Sequence, residues 1–556
     1  MIGAGEARGE EDAALTRELE LRLRRDGAYD SKTKHRRKAL RILREVVRDW
    51  MRHVWRSRVG AGRSSSTSPI PEATVLTFGS CEMRVNAPDA DIDCLLLAPR
   101  GCDRARDFFG TLVATLRGRG DVERVTPIPN VFAPVVKFRL RGVDFDLLFA
   151  RFPGFTTLPP DTTRVYGDNR DDALLAALDR ADPERQWSLR SLNGCRGTAA
   201  TLRLVPDADA FRLALRFVKR WAKTRGVYGN VFGLLGGASW AVLTARACQL
   251  HPNESAAGVI SGFFRVFSRW PWPEPVLLDR PDDDPSVAGS KPGGDTFDGD
   301  DDDGGWDPRR RPRDAAHRMP VIAPTSPRLN TAYNVTAGTF AVVRAELARG
   351  DRAFERHRSD SNAHPTPLWD ELLRSPRFFE EHRHFLAVDA VSSPEVASEH
   401  HAWDGWVESR LRWLVLAVER ASAGELLARP WPHPHAREGP AGTRTARFVA
   451  LRWDGDVGGF GARGIGTAVD LRGVVEEFVT MVRAWPPRKI GQECEVRYQR
   501  APQRSTLAAS GVIPWAAAEA YGGTGRSSAA SRVGRALAEC ASEEGRRARE
   551  GGDATR

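Results

Sequence analysis

The feature that most constrains this chain is a pair of short apolar strands that carry acid at their ends. Phe78-Gly79-Ser80 is followed after ten residues by Asp91-Ile92-Asp93, which runs into Cys94-Leu95-Leu96-Leu97; a second run reads Val143-Asp144-Phe145-Asp146-Leu147-Leu148. Short runs of aliphatic and aromatic residues bounded by turn residues read as strands. Residues two apart on a strand point the same way, so Asp91 and Asp93 present two carboxylates on one side while Ile92 and Cys94 turn toward a core. Hard oxygen donors in that pattern suit Mg²⁺, which completes its shell with water and phosphate oxygens, and Asp146 on the second strand supplies a third. The turn before them fits the same chemistry. Gly79 has no Cβ to block an approaching anion, successive N–H groups form an anion nest, and Ser80 brings a small hydroxyl, so the turn suits a triphosphate. A Gly-Ser pair alone is usually a turn, and Asp-x-Asp alone a solvated strand edge; together they outline a two-metal nucleotidyl-transfer site.

At 556 residues the chain is expected to hold about three or four domains of ~150 residues, and 41% hydrophobic residues suffice for ordinary cores. No run approaches the ~20 apolar residues of a membrane span, and Met1 to Glu20 is charged and lacks the apolar stretch of a signal peptide, so neither membrane nor secretion is expected. The seven cysteines are scattered, with no C-x-x-C pair and no zinc-ligand spacing, which points to a reducing compartment without structural zinc. Net charge is +10, unevenly spread: Asp279 to Gly305 holds ten Asp against two basic residues, net −8, which leaves +18 for the remainder. A basic body suits a polyanion, most simply nucleic acid.

Along the chain, residues 1–13 are expected to be disordered and 14–151 to form N-terminal helices and a catalytic α/β domain. Leu40, Leu43, Val46, Val47, Trp50, Met51 and Val54 recur at helical spacing and predict a helix over about 39–55. Gly60 to Pro71 reads as a loop. A helix near Phe108 to Leu116 and strands around Val135 to Leu140 and Asp144 to Ala150 follow. Residues 152–340 read as a mostly helical middle domain, with Phe211 to Trp221 and Ser239 to Leu250 the clearest helices and 279–305 a solvated acidic insertion. Residues 341–505 mix helices (Trp403 to Ala423, Val474 to Ala484) with strands (Arg447 to Arg452, Cys494 to Tyr498) as a small α+β domain, and 506–556 read as a flexible tail.

The stretch Tyr228-Gly229-Asn230-Val231-Phe232-Gly233-Leu234-Leu235-Gly236-Gly237-Ala238-Ser239-Trp240 resembles the eukaryotic nuclear poly(A) polymerases. So do Arg190-Ser191-Leu192-Asn193-Gly194-Cys195-Arg196, Trp270-Pro271-Trp272-Pro273, Trp306-Asp307-Pro308-Arg309, Met319-Pro320-Val321-Ile322-Ala323-Pro324 and Tyr333-Asn334-Val335, in that family's order. The resemblance covers about residues 35 to 505. It implies a polymerase-beta-like nucleotidyltransferase domain, a mostly helical middle domain and a C-terminal domain like an RNA-recognition module. It further implies that Asp91, Asp93 and Asp146 bind two Mg²⁺ or Mn²⁺ ions, and that Phe78, Gly79 and Ser80 lie at the triphosphate. Lys219, Tyr228 and Asn230 would contact ATP, Gly236 and Gly237 would line the adenine, Phe132 would lie beside the nucleotide and Asn193 in a loop near it.

The implied activity is template-independent addition of AMP from ATP to RNA 3′ ends in the nucleus, by a monomer that works with cleavage and polyadenylation factors. The rivals are a terminal uridylyltransferase and a catalytically impaired RNA-binding scaffold. The chain departs from the family pattern after the Gly-Ser turn, where Tyr-Arg-Leu-Gly is usual and Cys81-Glu82-Met83-Arg84 stands; Asp89 replaces a glycine and Ala133 a larger aliphatic residue.

Overall fold

A computed structural model describes residues 4–29, 31–59, 72–99, 101–152, 184–279, 305–359, 366–453 and 469–500. The expected loop over 60–71, nearly all of the acidic insertion and the C-terminal tail lie outside these residues.

The first sheet has five strands: β1 (Thr74–Thr77), β2 (Ile92–Pro99), β3 (Val122–Ile128), β4 (Val135–Leu140) and β5 (Val143–Phe152), in the order β1-β2-β5-β4-β3. Only the β2–β5 pairing is parallel. Strand alternation sends Ile92, Cys94, Leu96 and Ala98 to one face, where they meet Leu43, Val47, Trp50 and Met51 of the helix Thr33–Val59. Leu95 and Leu97 go to the other face and meet Leu192 and Cys195 of the helix Arg185–Leu204. That helix is tied to the sheet again where the Arg151 N–H donates to Ser188 Oγ at 3.0 Å. The expected start of the middle domain at 152 is therefore too early, because this helix covers the catalytic sheet.

The middle domain is built from the helices Ala208–Thr224, Gly237–Leu250, Ala256–Ser268 and Ala337–Ser359. Its aromatic centre sets the Trp221 and Trp240 rings 5.6 Å apart and Trp221 and Phe264 4.9 Å apart. Two expectations are corrected here. Residues 4–13, expected to be disordered, belong to a helix over Ala4–Arg25. Its Leu15, Leu19 and Leu23 stripe is buried in the middle-domain core rather than against the catalytic sheet, and Thr16 Oγ1 donates to Ser255 Oγ at 3.0 Å. The boundary expected at 341 falls inside the continuous helix Ala337–Ser359, whose Phe354 ring lies 6.1 Å from Phe264. Gly350 allows that approach, since a Cβ there would lie 2.3 Å from the Phe264 ring.

Arg328 pins both ends of the acidic insertion. Its guanidinium donates to both carboxylate oxygens of Asp279 at 2.8 and 3.0 Å, and its carbonyl accepts from the Trp306 N–H at 2.9 Å. The insertion thus leaves the domain from a closed base.

The C-terminal domain is a four-stranded antiparallel sheet of β6 (His384–Ser392), β7 (Leu426–Gly439), β8 (Gly442–Trp453) and β9 (Gln492–Arg500), in the order β7-β8-β6-β9. The helices His400–Ala421 and Arg472–Arg483 cover one face, packing on Leu386, Val388 and Ala390. Glu419 joins this domain to the middle one. Its carboxylate accepts from Thr336 Oγ1 at 2.9 Å and from the Ala337 and Gly338 N–H groups at 3.0 and 2.9 Å, which caps the helix Ala337–Ser359 from across the interface. Among the described residues no helix is long and apolar enough to cross a membrane.

Candidate active site

The carboxylates expected to act together do meet. Register pairs Asp93 of β2 with Asp146 of β5 directly across the parallel ladder, and Asp91 lies just ahead of β2. One oxygen from each of the three lies within 4.8 Å of the others. Their crowding has an electrostatic cost. Burial, then the charges of Asp91 and Asp146, push the Asp93 carboxyl up to about 7, and burial also raises Asp146. A cation bound among them would relieve that repulsion, so the donor set fits a hard divalent ion.

Lys137 was not anticipated from sequence. It lies on β4 opposite Asp146, and its ammonium donates to Asp146 Oδ2 at 2.5 Å. Burial alone would lower the Lys137 pKa, but the carboxylates, Asp146 foremost, outweigh it and hold the group protonated. The available signal was a single Lys within the apolar strand Val135-Val136-Lys137-Phe138.

The Gly-Ser turn lies against the carboxylates. Gly79 has φ +62°, and a Cβ there would fall 2.8 Å from Asp93 Oδ2, so only glycine fits without a shift. The Phe78 N–H donates to the Asp93 carbonyl at 3.1 Å, which ties the turn to β2. Gly79 contributes shape more than a hydrogen bond to phosphate, because its own N–H donates to Thr198 Oγ1 at 2.9 Å. Thr198 is a second unanticipated residue. The turn continues as a four-residue helix, Gly79–Glu82, closed by bonds from Val85 N–H to Ser80 O at 2.9 Å and Arg84 N–H to Cys81 O at 3.1 Å. That pair of bonds requires a left-handed residue, and Arg84 takes φ +58° where the resembling family has glycine. Glu82 does not hang free beside the turn, since Thr77 Oγ1 donates to its Oε2 at 2.9 Å.

Lys219 sits on the helix Ala208–Thr224, close enough to the triad that Asp93 and Asp91 act on its charge. Burial, then the neighbouring Lys223 charge, lower its pKa to about 8. Tyr228 faces the same acids; burial, then Asp91 and Asp93, raise its hydroxyl to about 12, so it stays protonated. A Cβ on Gly237 would fall 2.8 Å from Tyr228 Oη, and one on Gly236 would lie 3.3 Å from Asn230 Cβ, so the bare backbone brings these residues together. Asn230 is held from behind. Asn334 Nδ2 donates to the Asn230 side-chain oxygen at 3.1 Å and to its carbonyl at 3.2 Å, and Arg412 of the C-terminal domain donates to Asn334 Oδ1 at 2.7 Å. Asn334 stood in the resembling block Tyr333-Asn334-Val335, whereas Arg412 itself was not singled out, although it falls on the helix expected over Trp403 to Ala423.

Phe132 lies on a loop and Asn193 on the helix Arg185–Leu204. Phe132 is exposed in the loop between β3 and β4, with the Arg190 guanidinium 4.4 Å above its ring. Arg190 and Asn193 share the helix Arg185–Leu204, so that helix links the loop to the turn. Gly194 next to Asn193 lets Phe78 pack flush, since a Cβ would lie 2.5 Å from the Phe78 ring.

Three family models match the chain in order: Poly(A) polymerase nucleotidyltransferase domain over 6–205, Poly(A) polymerase central domain over 210–374, and Poly(A) polymerase predicted RNA binding domain over 377–450. Nuclear poly(A) polymerase 1 of Arabidopsis thaliana is 36% identical over 491 residues, which cover 87% of this chain and 62% of that protein. Poly(A) polymerase PAPalpha of Candida albicans is 35% identical over 427 residues, 76% of this chain and 68% of that protein. The chain spans 57–62% of the length of the Arabidopsis relatives. A solved structure of the Cid1 RNA terminal uridylyl transferase is similar at a TM-score of 0.40 and 15% identity, over 66% of this chain and 99% of its own, too distant to bear on substrate choice.

Proposed function

Because this chain belongs to the poly(A) polymerase family, we propose that it transfers AMP from ATP to the 3′ hydroxyl of RNA without a template and releases pyrophosphate. The observation that carries this reading is the cluster of Asp91, Asp93 and Asp146, with donor oxygens within 4.8 Å of one another, set against a glycine turn and facing Lys219 and Tyr228. Those three carboxylates would hold two divalent ions, Mg²⁺ or Mn²⁺. Such ions, when bound, supply charge stabilisation for the attacking and leaving oxygens.

The chain's own groups do the rest. The turn at Phe78, Gly79 and Ser80 receives the triphosphate, where Ser80 adds a hydroxyl and its N–H lies at the start of a helical turn. Lys219 has its pKa lowered to about 8, so it is largely protonated at neutral pH and becomes more so beside a phosphate. Lys137 holds Asp146 Oδ2 and offsets the acids' mutual repulsion before substrate arrives. Asn230, braced by Asn334, presents a donor and an acceptor to the base edge, while Gly236 and Gly237 let backbone approach the ring. Phe132 and Asn193 form the outer wall beside the nucleotide. The altered turn leaves this arrangement workable, since Glu82 is bonded to Thr77. The same reading gives a nuclear, monomeric enzyme with an RNA 3′ end as acceptor and cleavage and polyadenylation factors as partners.

The test is extension of a short RNA by the purified chain with each nucleotide separately, in Mg²⁺ or Mn²⁺. Extension with ATP at least ~10-fold better than with UTP or CTP in kcat/KM is expected, about 1.4 kcal/mol of discrimination. Asp91→Ala and Asp93→Ala should each abolish extension while RNA binding persists. Equal use of UTP, or near wild-type extension by either variant, would overturn the reading.

A further inference from the structure

Three polar side chains from three parts of the fold form a chain that ends at the nucleotide site. Asn230 opens the short helix Asn230–Phe232, Asn334 lies in the segment that leads into the helix Ala337–Ser359, and Arg412 belongs to the helix His400–Ala421 of the C-terminal domain. The chemistry at each end fixes the direction of every hydrogen bond between them. A guanidinium offers only donors, so the Asn334 atom 2.7 Å from Arg412 is the amide oxygen. A main-chain carbonyl only accepts, so the Asn334 atom 3.2 Å from the Asn230 carbonyl is the amide nitrogen. That same nitrogen lies 3.1 Å from the Asn230 side chain, which must turn its oxygen toward it. Asn334 is thus locked from both sides and passes its polarity on, leaving Asn230 with its oxygen at the end next to Asn334 and its NH₂ at the other.

The neighbourhood holds this chain still on one side and leaves it open on the other. The Gly233 N–H also donates to the Asn230 carbonyl, at 3.1 Å, and Gly233, at φ +75°, leaves room for the Asn334 carbonyl, which a Cβ would meet at 3.0 Å. The Arg412 guanidinium stands 4.9 Å from the Trp413 ring centre. Asn230 is half-buried and is followed by the exposed Val231, and Asn334 is preceded by the exposed Tyr333, so the pair borders solvent.

From this chain we infer that Asn334, locked by Arg412 of the C-terminal domain, is a positioning residue for base selection, and that the polarity it imposes on Asn230 favours bases with an amine beside an acceptor ring nitrogen. The inference rests on Asn230 contacting the base, as proposed above. An amide that meets a base edge with both its atoms distinguishes the two possible orders of donor and acceptor. Adenine and cytosine set an amine beside an unprotonated ring nitrogen; uracil and guanine set a carbonyl oxygen beside an N–H, the reverse order. With the oxygen of Asn230 fixed at one end, the first order is matched and the second meets oxygen with oxygen and N–H with N–H. Choice of nucleotide in the middle domain therefore depends on a side chain of the C-terminal domain.

The experiment measures kcat/KM for extension of a short RNA by the full chain with each of the four nucleotides, expressed relative to ATP. Asn334→Asp keeps the shape and the Arg412 partner but sets an oxygen where the nitrogen was, so Asn230 must turn its NH₂ toward it and show the base the reverse order. UTP and GTP should each rise about tenfold relative to ATP, while CTP stays within about twofold of its wild-type ratio. Arg412→Met removes one of the two locks and should raise UTP and GTP by about threefold, whereas Arg412→Lys retains a donor and should keep the wild-type ratios. Melting curves verify folding, and a merely structural defect would lower all four nucleotides together. Unchanged ratios in Asn334→Asp, or CTP rising in step with UTP, in a wild type that prefers ATP would overturn this inference and leave the catalytic reading standing. A wild type that extends nothing, or uses all four nucleotides equally, would remove both.

Discussion

Gly79→Ala is expected to damage catalysis far more than stability, and both effects can be sized from the turn. Gly79 has φ +62°, a conformation that costs an alanine about 1–2 kcal/mol. Alanine's smaller loss of chain entropy on folding returns roughly 0.4–1 kcal/mol, so the net destabilisation should be on the order of 1 kcal/mol. In a domain of this size that lowers Tm by about 2–4 °C. The catalytic effect comes from the new methyl, which would meet Asp93 Oδ2 at 2.8 Å, well inside ordinary contact distance. Asp93 must retreat by roughly half an ångström, and a misplacement of about 1 Å at a reacting centre costs around a hundredfold. Single-turnover extension of RNA at saturating ATP should therefore slow by about 10- to 100-fold, with RNA affinity unchanged. Gly194→Ala is the contrast: its methyl would meet the Phe78 ring, 2.5 Å away, rather than a carboxylate, so its effect should fall mainly on KM for ATP. A Gly79→Ala enzyme that extends RNA within twofold of wild type at the chemical step would refute the contact between turn and carboxylate.

Asn334→Ala removes the donor that holds Asn230 and should lower the preference for ATP over other nucleotides by about 3- to 10-fold at little cost in Tm, a loss of roughly 1 kcal/mol; unchanged selectivity in a competition assay would show that Asn230 needs no brace. Arg84→Gly relieves the left-handed strain at φ +58° and should raise stability by about 0.5–1 kcal/mol in denaturant titrations, net of glycine's entropy; a lower midpoint would mean that the arginine side chain has acquired stabilising contacts. Burial, then the Arg429 charge, lower the His382 pKa to about 4, below the ordinary histidine value of about 6.5. The stability this neutral histidine contributes is present above pH 6.5 and is lost as pH falls toward 4, by on the order of 2–3 kcal/mol. Urea titrations at pH 7.5 and 4.5 should show that His382→Gln flattens the dependence, and equal slopes for both proteins would reject it.

Some of this molecule was legible in the residues alone because the signals are local. Two-residue alternation turns Ile92 and Cys94 into the core and leaves Asp93 on the other side of β2, with Asp91 just ahead of the strand, and the helices over Ala208–Thr224 and Gly237–Leu250 follow from apolar spacing, which depends only on neighbours along the chain. The first turns of the Ala4–Arg25 helix, up to residue 13, read as disordered because those residues are charged or small, and the place of its leucine stripe depends on residues some 240 positions away, such as Ser255. The expected boundaries at 152 and 341 failed for the same reason, since each depends on which sheet or core a helix packs against.

The sequence by itself determined the types of group brought together at the candidate site: carboxylates near strand ends, a glycine at the turn, and, through the family resemblance, a lysine, tyrosine and asparagine downstream. Only the tertiary structure decided their company. Parallel pairing of β2 with β5 sets Asp146 beside Asp93, and antiparallel pairing of β4 with β5 sets Lys137 beside Asp146. Ladder register is chosen by the packing of whole faces, with a one-residue slip turning every side chain over, so no local pattern could have specified those neighbours. Likewise Arg412 reaches Asn230 through Asn334 only because the C-terminal domain docks on the middle one.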